Sequence, residues 1–123
     1  MQRHSTTEAA IEAELTRVTK RLGRLPLVPL PVTHYFNAFD HGSLDQIAYE
    51  LKMEGFLVNV TEKEAADDAG IRLIFFELTA KRNESVSPQS LHPVFLKCGE
   101  IAQRHNVIYD RIDVDTYLVD DPV

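Results

Sequence analysis

The end of the chain holds the densest group of side chains that could do chemistry. The segment HNVIYDRIDVDTYLVDD contains five aspartates within twelve positions. Converging carboxylates can bind a metal ion or act as a pair of catalytic acids, but aspartates on an amphipathic strand only form its wet side. Side chains alternate across a strand, so Asp113 and Asp115 share one face with Arg111. Ile112 and Val114 occupy the other face. We therefore interpret Asp113 and Asp115 as solvent-side residues.

Asp110 does not fit this alternation. It has the parity of Ile112, so a regular strand would point its carboxylate inward. A bulge or bend after Tyr109 would remove that conflict. Asp120 and Asp121 fall in a short acidic tail, and we expect them to fray.

The remaining candidates for catalysis are three histidines and one cysteine. His34, His41 and His92 do not form an HxxxH or HxH pattern, so we predict no metal and no cofactor. Cys98 lies on the apolar side of a predicted helix, where a small core residue is expected rather than a nucleophile. A single cysteine cannot form an internal disulfide, which agrees with a reducing compartment, and we expect a cytoplasmic location.

The composition restricts the partners. The net charge is −6, and a field of that sign repels phosphate, so we expect no direct binding of nucleic acid. There is no run of about 18 apolar residues that would cross a membrane. An acidic protein is better suited to a basic protein surface.

The first quarter of the chain predicts a helix and a linker. Residues 5–22 carry an apolar stripe with helical spacing, and Ser5 with Glu8 resembles a capping box. The segment LPLVPLP follows, and its three prolines exclude a helix and a central strand. We therefore expect four consecutive segments: a helix in 1–25, an extended linker in 26–31, a folded domain in 32–119 and an acidic tail in 120–123.

Beyond the linker, apolar spacing predicts strand, helix, strand, strand, helix, strand. This βαββαβ order is typical of the α+β ferredoxin-like sandwich, in which two helices cover one face of a four-stranded antiparallel sheet. The third strand would lie in the centre and the fourth at an edge beside the first. The expected strands are 32–39, 56–62, 70–81 and the segment after His105, with Ser43 capping the first of the two helices and Pro93 in the first turn of the second.

The third predicted strand, IRLIFFEL, is apolar on both parities. A strand with one wet face should alternate more cleanly. We therefore expect the sheet face that the two helices leave open to be covered, either by the N-terminal helix or by a second subunit.

Three local patterns resemble a known family: FDHGSLDQIAYELKMEGFLVNV, the strand IRLIFFEL and the helix exit EIAQRHNVIYD. Over residues 32–118 the chain resembles regulator of ribonuclease activity B, an inhibitor of the endoribonuclease RNase E. The family pattern continues from the Tyr-Asp pair into Gly-Trp-Gly, where this chain has Arg111, Ile112 and Asp113. It also ends in a long acidic tail, of which Asp120 and Asp121 remain here.

The resemblance implies a non-catalytic protein that docks on a ribonuclease or its scaffold and lowers RNA cleavage. The predicted contact residues are acidic: Asp110, Asp113 and Asp115 on the last strand, and Glu62, Glu64, Asp67 and Asp68 in a loop. The alternative is a small-molecule-binding regulatory domain of the same fold, which a pocket beside the segment SVSPQS would indicate. A homo-oligomer through the open sheet face or the N-terminal helix is a further expectation.

Overall fold

A computed structural model describes residues 8–116. The predicted capping box at Ser5 and the acidic tail with Asp120 and Asp121 lie outside the described residues. Three helices and four strands follow in chain order: α1 Glu8–Leu22, β1 Leu30–Ala38, α2 His41–Met53, β2 Leu57–Ala66, β3 Arg72–Glu84, α3 Pro88–Arg104 and β4 Ile108–Val114.

The four strands form one antiparallel sheet in the order β2-β3-β1-β4. The predicted α+β ferredoxin-like arrangement is confirmed, with β3 in the interior and β4 at an edge beside β1. The inner face of the sheet packs on the helices, and its even-numbered β1 residues are buried. We call the opposite side of the sheet the open face. None of the helices in residues 8–116 is long and apolar enough to cross a membrane.

Helices α2 and α3 each turn one side toward the sheet. An apolar stripe at helical spacing buries one side of each helix against the sheet. Phe95 is half-buried at the edge of the stripe on α3. The buried set is Leu44, Ile47, Ala48 and Leu51 on α2, and Leu91, Cys98, Ile101 and Ala102 on α3.

The ends of several elements differ from the prediction. Asp40, not Ser43, caps α2, because its carboxylate accepts hydrogen bonds from the backbone N–H groups of Gly42 and Ser43, both at 3.2 Å. Pro31 lies inside β1, an interior strand, where proline was not expected. It is the second residue of the strand, beyond the last residue of β4, so few ladder bonds are lost there, and its carbonyl accepts from the Asp115 N–H at 2.9 Å.

Helix α3 begins at Pro88, so Pro93, its second proline, lies inside the helix. Ser87 caps it by accepting from the Ser90 N–H at 3.1 Å, and Pro88 occupies the first turn. Pro93 was expected in the first turn, but it lies one turn further on, and the helix continues through it to Arg104. The cost is one missing backbone hydrogen bond, since proline has no N–H.

The hairpin of β2 and β3 is longer than predicted. Strand β2 continues to Ala66, so Glu62 and Glu64 belong to a strand and not to a loop. The turn is held by the Asp67 carboxylate, which accepts from the N–H groups of Ala69 and Ile71 at 2.9 and 2.8 Å. The last pair between β1 and β3 joins Ala38 to Phe76, so the end of the hairpin extends beyond the other strands.

Helix α1 packs against α3 and β4, and its stripe is part of the common core. Of the two covers expected for the open face, a second subunit and α1, the structure therefore excludes α1. The stripe is buried at the side of the helix layer, where α1 covers the outer edge of β4 instead. There the Arg17 guanidinium donates to the Val114 carbonyl, and the Val114 N–H donates to the Glu14 carboxylate, both at 2.7 Å. These bonds pair backbone groups that an edge strand leaves free.

Candidate functional site

The predicted bulge in β4 is present. Arg111 pairs with Tyr35 while Tyr109 pairs with Phe36, so Asp110 is the extra residue. The bulge turns Tyr109 to the inner face, where it is buried. Asp110 is half-buried, and its carboxylate lies 2.6 Å from Nη1 of Arg111. The bulge therefore explains how Tyr109 shares the inner face with Ile112, although their sequence parities differ.

We call Asp110, Asp113 and Asp115 the β4 patch. The predicted solvent-side placement of Asp113 is confirmed, while Asp115 is half-buried. Basic side chains offset this patch, because Arg17 lies 3.7 Å from the Asp113 carboxylate and Arg111 is paired with Asp110. Partial burial and then the nearby Glu14 charge raise the pKa of Asp113. The patch is thus less acidic than its sequence suggests.

We call Glu62, Glu64, Asp67 and Asp68 the hairpin patch. All four residues are exposed at the projecting end of the hairpin. Glu64 forms an ion pair with Arg72 across the two strands. Glu62 and Asp68 make no ion pair with any residue that the structure describes. This patch keeps more uncompensated negative charge than the β4 patch, and it lies beside the outer edge of β2.

The two patches do not form one surface. Asp113 pairs with Thr33 of β1, which in turn pairs with Lys81 of β3. Glu64 pairs with Ile74 of β3, seven residues away from Lys81 along that strand. The patches also lie on strands at opposite edges of the sheet. Strand spacing of about 4.8 Å and a rise of about 3.3 Å per residue place Asp113 and Glu64 roughly 27 Å apart. The structure thus separates the seven predicted residues into two corners of the sheet.

A buried polar cluster was not predicted from the sequence. His34 of β1 lies between Tyr109 of β4 and Glu84 of β3, and we call these three residues the buried triad. The His34 Nδ1 atom is 2.7 Å from the Tyr109 hydroxyl, and its Nε2 atom is 2.8 Å from a Glu84 carboxylate oxygen. The signal in the sequence was His34 itself, a polar residue of inward parity between Val32 and Phe36.

The buried triad joins three strands of the sheet through side chains. With the proton on Nε2, His34 donates to Glu84 and accepts from the Tyr109 hydroxyl, so both ring nitrogens are satisfied. Arg82 reaches the same carboxylate with Nε at 3.7 Å and lies over the Phe56 ring. The Glu84 Oε1 atom is buried and accepts no hydrogen bond from the described residues. This arrangement positions strands, since each partner is enclosed by core residues.

Cys98 lies in the core as predicted. Burial, followed by the charge of Glu84, raises the pKa of its thiol to about 12. At neutral pH the side chain is therefore a neutral thiol, and only the thiolate is a strong nucleophile. Burial also raises the pKa of the neighbouring Tyr109 well above that of a free tyrosine.

The structure does not bring the three candidate histidines together. His34 belongs to the buried triad, His41 lies 3.1 Å from Asp45 at the start of α2, and His92 is on α3. Within residues 8–116, no group of three or more His, Cys, Asp or Glu side chains is arranged to hold a metal ion.

An open groove of about 420 Å³ lies between α2 and the end of α3, lined by Tyr49, Glu50 and His105 among others. His105 is held by Gln46 at 3.0 Å and by an ion pair with Glu50. A pocket beside the segment SVSPQS, which would indicate the ligand-binding alternative, would lie at the start of α3, the other end of that helix. The groove therefore does not support the ligand-binding alternative in the form predicted.

Comparison with known proteins bears on the function of this chain. The family model described as regulator of ribonuclease activity B matches residues 9–113. No match is found among curated proteins. The matched range reaches from α1 into β4, so it includes the N-terminal helix as well as the βαββαβ unit. Because the match spans nearly the whole chain, this protein belongs to the regulator of ribonuclease activity B family.

Proposed function

We propose that this protein lowers the activity of an endoribonuclease of the RNase E type by binding to the enzyme or its scaffold, without chemistry of its own. Membership of a family of ribonuclease regulators is the observation that carries the proposal. The buried thiol of Cys98 and the enclosed buried triad fit a role in packing better than one in catalysis. The single cysteine also fits the reducing cytoplasm, where we place this activity.

The hairpin patch is the stronger candidate for the contact. It projects beyond the rest of the sheet, and the edge of β2 beside it is not covered by another strand. An exposed edge offers free backbone groups, and the acidic side chains favour a basic segment. A basic stretch of the ribonuclease or its scaffold that lies along β2 would meet both features.

The β4 patch is the second proposed contact. Its charge is partly offset by Arg17 and Arg111, so it contributes less to attraction at long range. Because Asp113 and Glu64 are about 27 Å apart, one short basic segment cannot contact both of them. We expect the hairpin patch to dominate the association rate and the β4 patch to modulate it.

Three charge-reversal variants of this chain test the proposal. The hairpin variant combines Glu62→Lys with Asp68→Lys, and the β4 variant combines Asp113→Lys with Asp115→Lys. The control variant, Glu12→Lys with Glu100→Lys, makes the same change in net charge at exposed positions of α1 and α3. The assays are cleavage of RNA by RNase E with increasing amounts of each variant, and the association rate at low and high salt.

The wild-type protein and the control variant should slow RNA cleavage. The hairpin variant should associate about tenfold more slowly at low salt, with a smaller difference at high salt, because electrostatic steering is screened. If saturating wild-type protein binds RNase E but leaves cleavage unchanged, inhibition is refuted. If the hairpin and control variants behave alike, the contact has been placed on the wrong surface.

A further inference from the structure

We infer that the open face of the sheet is the binding surface for a second copy of this chain, an interaction that does not depend on the proposed ribonuclease partner. The open face carries apolar side chains that no described element covers. Ile108 of β4 has this orientation because it pairs with Asn37, an outward residue of β1. Leu73 and Phe75 of β3 have it because they share the parity of Glu77, which also pairs with Asn37. Leu73 is 47% exposed and Ile108 is 53% exposed.

Because α1 packs elsewhere, it leaves the apolar side chains of the open face uncovered. The first part of β3 is apolar on both parities, because Leu73 and Phe75 face the open side while Ile74 and Phe76 face the other, although a sheet face that meets water should be mostly polar. The one helix of this chain that could have covered the open face packs instead beside α3 and β4. An apolar surface left in this way on a folded chain marks an interaction site.

The charges of the open face favour a second copy over a charged partner. The whole chain has a net charge of −6, so two copies repel each other over most of their surface. The open face differs, because its acidic and basic side chains balance. Glu77 lies near the centre of the open face, where its carboxylate oxygens are 3.7 Å from Nζ of Lys63 and 3.9 Å from Nη1 of Arg111. Two such faces can approach without a net electrostatic penalty, and each can offer its ion pairs to the other.

The size of the face is sufficient for a specific dimer. Four strands at about 4.8 Å spacing and a length of nine residues at about 3.3 Å give a footprint of roughly 570 Å² on each subunit, and the hairpin end that carries Leu73 and Phe75 extends beyond it. The pair would then bury about 1,100–1,200 Å², at the lower end of specific interfaces. A dimer of moderate affinity is therefore expected, in which the same surface of both copies meets across a two-fold axis.

Two adjacent residues of β3 allow a matched test. Leu73 points to the open face, whereas Ile74 points to the other side, and both are about half exposed. The experiment is sedimentation equilibrium over a range of protein concentrations on the wild type, Leu73→Glu and Ile74→Glu. Ile108→Glu adds a second change on the open face, and a melting curve checks that each variant is folded.

The wild type should reach a mass near twice the chain mass of 14.0 kDa as concentration rises. Leu73→Glu and Ile108→Glu should each raise the dimer Kd at least about tenfold, because a two-fold axis places each new charge in the interface twice. Ile74→Glu should leave the Kd unchanged.

A wild-type mass of 14.0 kDa at every concentration would overturn the inference. So would dimers that survive both open-face variants, or that dissociate equally in all three variants. A monomeric chain whose RNase E binding fails with Leu73→Glu but not with Ile74→Glu would assign the face to the ribonuclease instead. Since the charge-reversal variants of the hairpin patch leave the open face intact, failure of the ribonuclease proposal would not affect the dimer.

Discussion

The buried triad makes a quantitative prediction for Tyr109→Phe. The Tyr109 hydroxyl is buried and lies 2.7 Å from His34 Nδ1. The substitution removes one oxygen and keeps the ring, which stacks on Phe36 with centroids 4.9 Å apart and contacts Phe95. Packing is therefore preserved, and the loss of free energy comes from the hydrogen bonds of the hydroxyl, to His34 and to the Cys98 thiol.

The expected loss follows from the burial of His34. Its ring is 1% exposed, so water cannot replace the missing hydroxyl. A buried polar atom without a partner costs about 1–3 kcal/mol. For a chain of this length, each kcal/mol lowers the melting temperature by about 3–6 °C, so the variant should melt roughly 3–18 °C lower.

Tyr49→Phe is the matched control, since it removes the same atom from a tyrosine of α2 that is 68% exposed, where water replaces the lost contact. The control should change the free energy of unfolding by less than about 0.5 kcal/mol. Urea denaturation of both variants measures the difference. Equal stabilities would refute the role of the buried hydrogen bond.

Three further predictions concern α1, Cys98 and metal. Deleting residues 1–25 removes four buried side chains of α1, whose burial contributes about 6 kcal/mol before entropy is deducted. The truncated chain should therefore aggregate or lose most of its stability, whereas a soluble and equally stable product would show that α1 is accessory. Burial raises the pKa of the Cys98 thiol to about 12, so iodoacetamide at pH 8 should modify Cys98 readily in denaturant but very slowly in the native protein. Rapid labelling of the native protein would contradict the position of Cys98 in the core. Melting curves with and without a chelator should coincide, since no described cluster is arranged to hold a metal, and a drop of several degrees would show a site that was overlooked.

Patterns that depend on neighbouring residues could be interpreted from the sequence. The spacing of Leu44, Ile47 and Leu51 shows which side of α2 is buried, because the period of a helix is a local property. Strand parity placed Asp113 on the outside, and its conflict at Asp110 indicated the bulge. The boundaries were less accurate, since the Asp40 cap and the continuation of β2 to Ala66 depend on contacts that local composition does not specify.

The sequence by itself therefore determined the order of elements, the inward faces of the helices and the irregular strand that carries Asp110. Only the tertiary structure decided which distant residues meet. It placed α1 at the edge of β4 rather than on the open face, and it brought His34, Glu84 and Tyr109 together from three strands. It also separated the acidic residues into two corners. The physical reason is that the register between strands far apart in the chain sets these contacts, and no local period encodes that register.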